Sequence, residues 1–188
     1  EVNGQVAKIG SVAQALGRYR IGYVSEDRKS DGLILSKDII FNISVTLWRR
    51  LAKWTVGWVP DAAEREVAKR HAEELDVRTP SLEQTVGNLS GGNQQKVSIA
   101  KWLAAEADIL IVDEPTIGID IKTKDALHEL IWDLAKTGKA ILLISSDMPE
   151  MVRLADRILV MKGGRIVAEI ENSRRYDEIS EEIMKDLA

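Results

Sequence analysis

The sequence predicts an α/β fold in which an α-helical lobe is inserted ahead of a parallel-sheet core. Three observations carry that expectation. After Asp108 short apolar runs alternate with amphipathic stretches: "ILIV" at 109–112, "AILLIS" at 140–145 and "RILVM" at 157–161. That alternation is the pattern of buried strands with helices packed on them. From about Asn42 to Glu106 the texture is helical instead. Nearer the start, "GYVS" at 22–25 is an apolar run that stops at the charged "EDRKSDG", a strand running into a loop.

The elements follow in order. Within the lobe, placed at about 42–106, Asp61 is expected to cap a helix with Glu64 as its capping-box partner. The remainder, 107–188, carries the rest of the core. A helix is expected after Asp120, with Leu127, Leu130, Ile131 and Leu134 on one face and Gly138 ending it. Met148 opens a short helix, capped by Asp147 and with Pro149 in its first turn. "KGGR" at 162–165 reads as a tight turn between two strands. The last helix, about Asp177 to Leu187, is charged and expected at the periphery, and His71 and His128, away from every motif, are expected at the surface.

Composition narrows the function classes. The chain has 188 residues, 45% hydrophobic and 30% charged, and no apolar run of the roughly 20 residues that a membrane span needs. A net charge of -4 argues against a nucleic-acid partner, whose phosphates are held by clustered Lys and Arg. With no cysteine there is neither a disulfide framework nor a thiolate metal site, and the cytoplasm is the expected compartment.

Two stretches carry chemistry. "LSGGNQQK" at 89–96 sets Ser90, Gly91 and Gly92 before polar residues that can open a helix. Such a start offers unpaired backbone amides and a hydroxyl to an anion, and glycines allow it to come close. In "ILIVDEPT" a buried strand ends in Asp113 and Glu114, at the edge of a parallel sheet where ligands bind. Asp113 could hold Mg2+ through water and Glu114 could orient or deprotonate a water. Each stretch alone reads more simply as a helix cap or a solvated strand end.

Together, "LSGGNQQK", "ILIVDEPT" and the following "GID" resemble, in order and spacing, the signature motif, Walker B strand and D-loop of an ATP-binding cassette ATPase, a P-loop NTPase-like fold. With "SEDRKSDGL" and "SSDMPE", the chain looks like the C-terminal cassette of tandem-cassette ATPases that energise bacterial uptake of ribose, galactose, xylose and related sugars. Purine-nucleoside importers are the nearest alternative. A soluble cassette of DNA repair or translation would carry a long coiled coil or a basic linker, and neither occurs here.

The resemblance implies ATP and Mg2+ as ligands. It places Ser90, Gly91, Gly92 and Gln94 over the γ-phosphate of an ATP held by another cassette, Asp113 on the metal, Glu114 at the attacking water and Asp120 at the cassette interface. Partners implied are that other cassette, transmembrane permease subunits and, indirectly, a periplasmic or extracellular sugar-binding protein, at the cytoplasmic face of the membrane. Where cassettes usually have a Gln that contacts Mg2+ and the attacking water this chain has Glu26, and where they usually have a His on the γ-phosphate it has Ser146, whose hydroxyl can bond a phosphate. Those two departures leave open a largely regulatory site. The phosphate-cradling G-x-x-x-x-G-K-[ST] is absent, Gly138 and Lys139 lacking the first glycine, so the cassette is expected to lack its Walker A strand, loop and helix, which would fall before "EVNGQV". Trp48, Trp54 and Trp58 suit either a membrane-partner surface or packing within the lobe.

Overall fold

The computed structural model describes residues 1, 2, 4–48 and 59–187, in two units, Glu1–Leu142 and Leu143–Ala188. In the first, helix α1 (Val12–Tyr19) begins at Ser11, whose hydroxyl accepts from the Gln14 amide at 3.2 Å. The sequence reading passed over this helix. Arg20 ends it in the left-handed region, φ 54°, and turns the chain into β1 (Ile21–Val24). The Arg20 carbonyl accepts from the amides of Asp108 and Ile109, so β1 and β2 (Ile109–Asp113) start level. They run parallel from Ile21 opposite Ile109 to Val24 opposite Val112. With β3 (Ala140–Ile144) the sheet order is β1-β2-β3.

Beyond β1, "EDRKSDG" is more ordered than a plain loop. Gly32 donates its amide back to the Asp27 carbonyl at 3.2 Å, closing a π-type turn over Arg28–Gly32. The Asp27 carboxylate accepts from the amides of Lys29 and Ser30 at 3.1 and 3.0 Å.

Helices α2 (Ile39–Ser44), α3 (Asp61–Glu74) and α4 (Gly91–Ala104) pack on one another, and Ile39, Ile43, Val86, Val97 and Ile99 are almost fully buried. Asp61 does not cap α3. Pro60, held extended at φ -69° and ψ 124°, stands at the cap, so Asp61 is the first helical residue and acts on the helix dipole only. Glu64 turns away from a capping box and accepts from the Ser44 hydroxyl and the Trp48 indole, each at 2.6 Å. Trp48 also meets Phe41 edge to face, centroids 5.0 Å apart, and remains 38% exposed, so it packs on the lobe and also presents surface. Trp54 and Trp58 lie outside the described residues.

Helix α5 (Ile121–Lys136) is capped by Asp120, which accepts from the Thr123 amide at 3.1 Å, and Gly138 follows at φ 91°. Leu127, Ile131 and Leu134 are buried and Leu130 partly so. Both histidines are buried rather than exposed. His128 adjoins Leu127 on the inward face of α5, and His71 lies beside Ala72 on that of α3. Burial holds the His71 imidazole below its ordinary pKa, although its Nδ1 lies 3.0 Å from Glu74 Oε2.

In the second unit Asp147 caps α6 (Met148–Leu154) by accepting from the Glu150 amide at 3.0 Å. Strands β4 (Arg157–Lys162) and β5 (Arg165–Glu171) form an antiparallel hairpin of their own, so "RILVM" pairs across the tight "KGGR" turn and is not a strand of the β1-β2-β3 sheet as its alternation suggested. Gly163 and Gly164 at φ 58° and 76° make its turn, which needs two left-handed residues. Helix α7 (Tyr176–Leu187) is not peripheral: its one-turn pair Ile179 and Ile183 completes a core with Val152, Ile158, Val160 and Ile170.

Lys101 on α4 is 9% exposed and donates from Nζ to the Gly32 carbonyl at 2.5 Å, with Nζ 4.8 Å from the Trp102 ring centroid. Burial lowers its pKa from 10.5 to about 8. Between those values the unfolded chain binds the proton more tightly, so stability rises with pH through that window, by about 3 kcal/mol in all. Urea unfolding of wild type and Lys101→Met across pH 7.5–10.5 should show this rise in the difference between the two; parallel curves would mean that Lys101 titrates normally.

Candidate functional site

The site is built around the first turn of α4. Ser90, extended at φ -61° and ψ 156°, caps it: its hydroxyl accepts from the Asn93 amide at 3.4 Å and from Asn93 Nδ2 at 3.0 Å. Asn93 Oδ1 accepts from the Arg78 amide at 2.8 Å, which ties the cap to the start of the loop that follows α3. Gly91 and Gly92 stand at the first two helical positions, where backbone amides have no carbonyl one turn back. An anion there would meet both amides and the positive end of the helix dipole.

The two glycines also answer to packing. A β-carbon on Gly92 would fall 2.0 Å from Thr123 Cγ2, so the start of α5 closes on the start of α4 only because residue 92 has no side chain. A β-carbon on Gly91 would lie 2.9 Å from Arg28 Nη2 and 3.2 Å from the Gly118 carbonyl oxygen. Gln94, expected among the ligand contacts, is buried, and its Nε2 donates to the carbonyls of Val86 and Leu89 at 3.2 and 3.3 Å. It ties α4 to the loop before it, because the fourth residue of a helix that begins at Gly91 faces inward here.

A second cluster lies where β2 ends. Asp113 Oδ2 accepts from the Tyr23 hydroxyl at 2.7 Å, and that bond to a carboxylate raises the Tyr23 pKa. Tyr23 was missed by the sequence reading, yet a signal existed. It pairs with Ile111, and two residues on along a strand returns to the same face, where Asp113 stands. Glu114 follows at φ 43°, a left-handed backbone that a residue with a β-carbon adopts only at a cost and which concentrates at functional sites.

The chain then turns through Ile117 and Gly118, the latter at φ 67°, to Asp120. Asp120 Oδ2 accepts from the Thr123 hydroxyl at 2.7 Å, and that bond holds its carboxyl below the usual range. Glu26 is exposed, and its carbonyl accepts from the Arg28 amide at 3.0 Å. Glu26, Asp27, Arg28 and Lys29 border an open pocket whose other side is Ile117 and Gly118. The structure thus gathers Ser90, Gly91, Gly92, Asp120, Thr123 and Arg28 in one place, and Tyr23, Asp113 and Glu114 at a strand end. Ser146 lies just beyond β3 in the second unit, between Ser145, whose hydroxyl accepts from the Asp147 amide at 3.0 Å, and the α6 cap.

Among the described residues there is no cluster of three or more His, Asp or Glu able to hold a metal ion by itself, and no helix is long and apolar enough to cross a membrane.

The steric role of Gly92 has a diagnostic sign. Gly to Ala inside a helix ordinarily stabilises by up to about 1 kcal/mol. Gly92→Ala should instead destabilise, by about 1–3 kcal/mol, as overpacking does. Adding Thr123→Ser, which deletes Cγ2 and keeps the hydroxyl on Asp120, should recover most of the loss. Thermal unfolding of the three variants checks this, and a stabilised Gly92→Ala would contradict it.

The chain is similar to known proteins in sequence and in fold. Residues 3–117 match the model of the ABC transporter family. The chain is 44% identical over 171 residues to the ribose import ATP-binding protein RbsA of Roseobacter denitrificans, covering 91% of this chain and 33% of that protein. It is 42% identical over 183 residues to the xylose import ATP-binding protein XylG of Geobacillus kaustophilus, covering 97% and 35%. It therefore spans about a third of the length of these relatives. Among solved structures, an ATP-binding cassette of an ABC transporter superposes with a TM-score of 0.74 at 18% identity, over 93% of this chain and 70% of that one, a likeness of fold.

Proposed function

The chain belongs to the ABC transporter family, and from that premise we propose that it is part of the ATP-hydrolysing subunit of a bacterial sugar importer. Its cycle couples ATP binding and hydrolysis to uptake of a monosaccharide of the ribose, galactose and xylose class. The observation that carries this reading is the glycine-opened start of α4, held by Thr123 and Arg28 against the segment that leaves Asp113 and Glu114. The import proteins that match over nearly the whole chain support the sugar class.

In this reading Ser90 and the amides of Gly91 and Gly92 close over the γ-phosphate of an ATP held by a second cassette, and Asp120 lies at the interface between the two. Gln94 holds the loop rather than the nucleotide. The Asp113 carboxylate, whose Oδ2 accepts from Tyr23, fits Mg2+ that would be held mostly by phosphates and water, with Asp113 reaching it through water. Mg2+ would supply charge neutralisation at the phosphates. Glu114 orients or deprotonates the attacking water. The partners are a second cassette, membrane permease subunits and, indirectly, a sugar-binding protein, with the chain at the cytoplasmic face of the membrane.

Glu26, where cassettes usually carry a Gln, favours a second reading of the Asp113–Glu114 site as largely regulatory. One experiment separates the parts: sugar-stimulated ATP turnover by the intact ATPase, reconstituted with its membrane subunits. Gly91→Asp sets a carboxylate against a phosphate and should cost about 10²-fold or more. Glu114→Gln should cost far less than the 10²- to 10⁴-fold that a fully working general base supplies. Equal, near-complete losses would mean two equivalent hydrolytic sites, and a mild Gly91→Asp would remove the phosphate from α4.

A further inference from the structure

Arg28 is 7% exposed, and burial works against its charge, with the attraction of the Asp27 carboxylate the smaller, opposing effect. Its Nη1 donates to the Ile117 carbonyl at 3.1 Å. Its Nη2 lies against Gly91, 2.9 Å from where a β-carbon there would stand, and 3.7 Å from the corresponding point on Gly118. Its Nε is buried with no hydrogen-bond partner among the described residues. The neighbouring Asp27 carboxylate accepts from the amides of Lys29 and Ser30.

Burying a guanidinium on a single carbonyl, beside the positive end of a helix dipole, opposes stability. Its geometry nevertheless joins three separate segments: the turn after β1, the first residue of α4 and the Ile117–Gly118 turn after β2. The planar fork of an arginine can reach Ile117 with one arm and back Gly91 with the other, which a lysine point charge cannot.

We propose that Arg28 is a positioning residue that couples the first turn of α4 to the Ile117–Gly118 turn, so that the glycines and the segment leaving Glu114 move as one body. The inference deepens the ATPase reading above and rests on it for its catalytic consequence. Arg28 touches no reacting atom; it acts through Gly91 and Gly118. Both of those positions are glycine, which leaves the guanidinium room to lie against their backbones.

The test compares wild type, Arg28→Met and Arg28→Lys in the intact ATPase. Met fills similar volume without a donor, and Lys keeps the charge without the fork. Displacing the α4 amides by about an ångström should lower kcat at least tenfold in Arg28→Met. KM for ATP should stay within about threefold, because the lost contact matters in the transition state. Arg28→Lys should restore less than half of the lost rate. A smaller loss of kcat, a KM that rises in step with it, or full rescue by Lys overturns the proposal.

A second readout does not depend on turnover. Amide hydrogen exchange in Arg28→Met should quicken at the hydrogen-bonded amides of Asn93 and Gln94 and at those of Ile117 and Ile119 together, with the β4–β5 hairpin unchanged; quickening in only one segment, or in neither, refutes the coupling. If Arg28→Met does not fold, Arg28→Gln, which keeps one donor for Ile117, is read in the same two assays. An intact wild-type protein without ATP turnover would sink the ATPase reading, and the exchange result would still decide the role of Arg28.

Discussion

The site depends on a steric contact: the methyl group of Thr123 occupies the space that a side chain at residue 92 would need. Asp120 fixes Thr123 by accepting from both its amide and its hydroxyl, so the cap of α5 determines where the methyl lies. Through Gly92 that position is passed to α4, whose own cap, Ser90, sets the direction of its first amides. Side chains on two helices therefore aim backbone donors on one of them. Backbone donors held by packing suit a phosphate, because they need no reorganisation when charge arrives.

The polar contacts around this core have a different character. Tyr23 donates to Asp113, Glu114 sits in a left-handed backbone, and Arg28 is buried on a single carbonyl. None of these is what stability alone would select. Each lies near the C-terminal end of β1 or β2 or on the segment that follows it, the edge of a parallel sheet where ligands bind. The strand-end carboxylates and the glycine-opened helix are thus linked through the Glu114–Asp120 segment of the first unit.

How much of this could be read in the sequence follows from how local each cause is. The caps Asp120 and Asp147, the glycine after α5, the "KGGR" turn and the parallel strands obey rules that operate within a few residues. Asp61 was misplaced because Pro60 already fixed the extended cap conformation. His71, His128, Gln94 and the α7 isoleucines were misread because their environment is made by elements distant in the chain. Tyr23 was recoverable from strand periodicity once the β1–β2 register was assumed. Arg28 was not: "EDRK" is a charged run like any other until Gly91 and Ile117 are brought to it.

The central claim is that the amides at the start of α4 are held, by contacts with the segment after Glu114, in position to receive a phosphate from another cassette. A structure of the intact ATPase trapped with ATP and Mg2+ measures this directly. The amide nitrogens of Gly91 and Gly92 should stand about 3 Å from oxygens of one γ-phosphate, with Thr123 still against Gly92 and Arg28 still on Ile117. An α4 start turned away from every nucleotide, or reaching the phosphate only after parting from Thr123 and Arg28, would contradict the account.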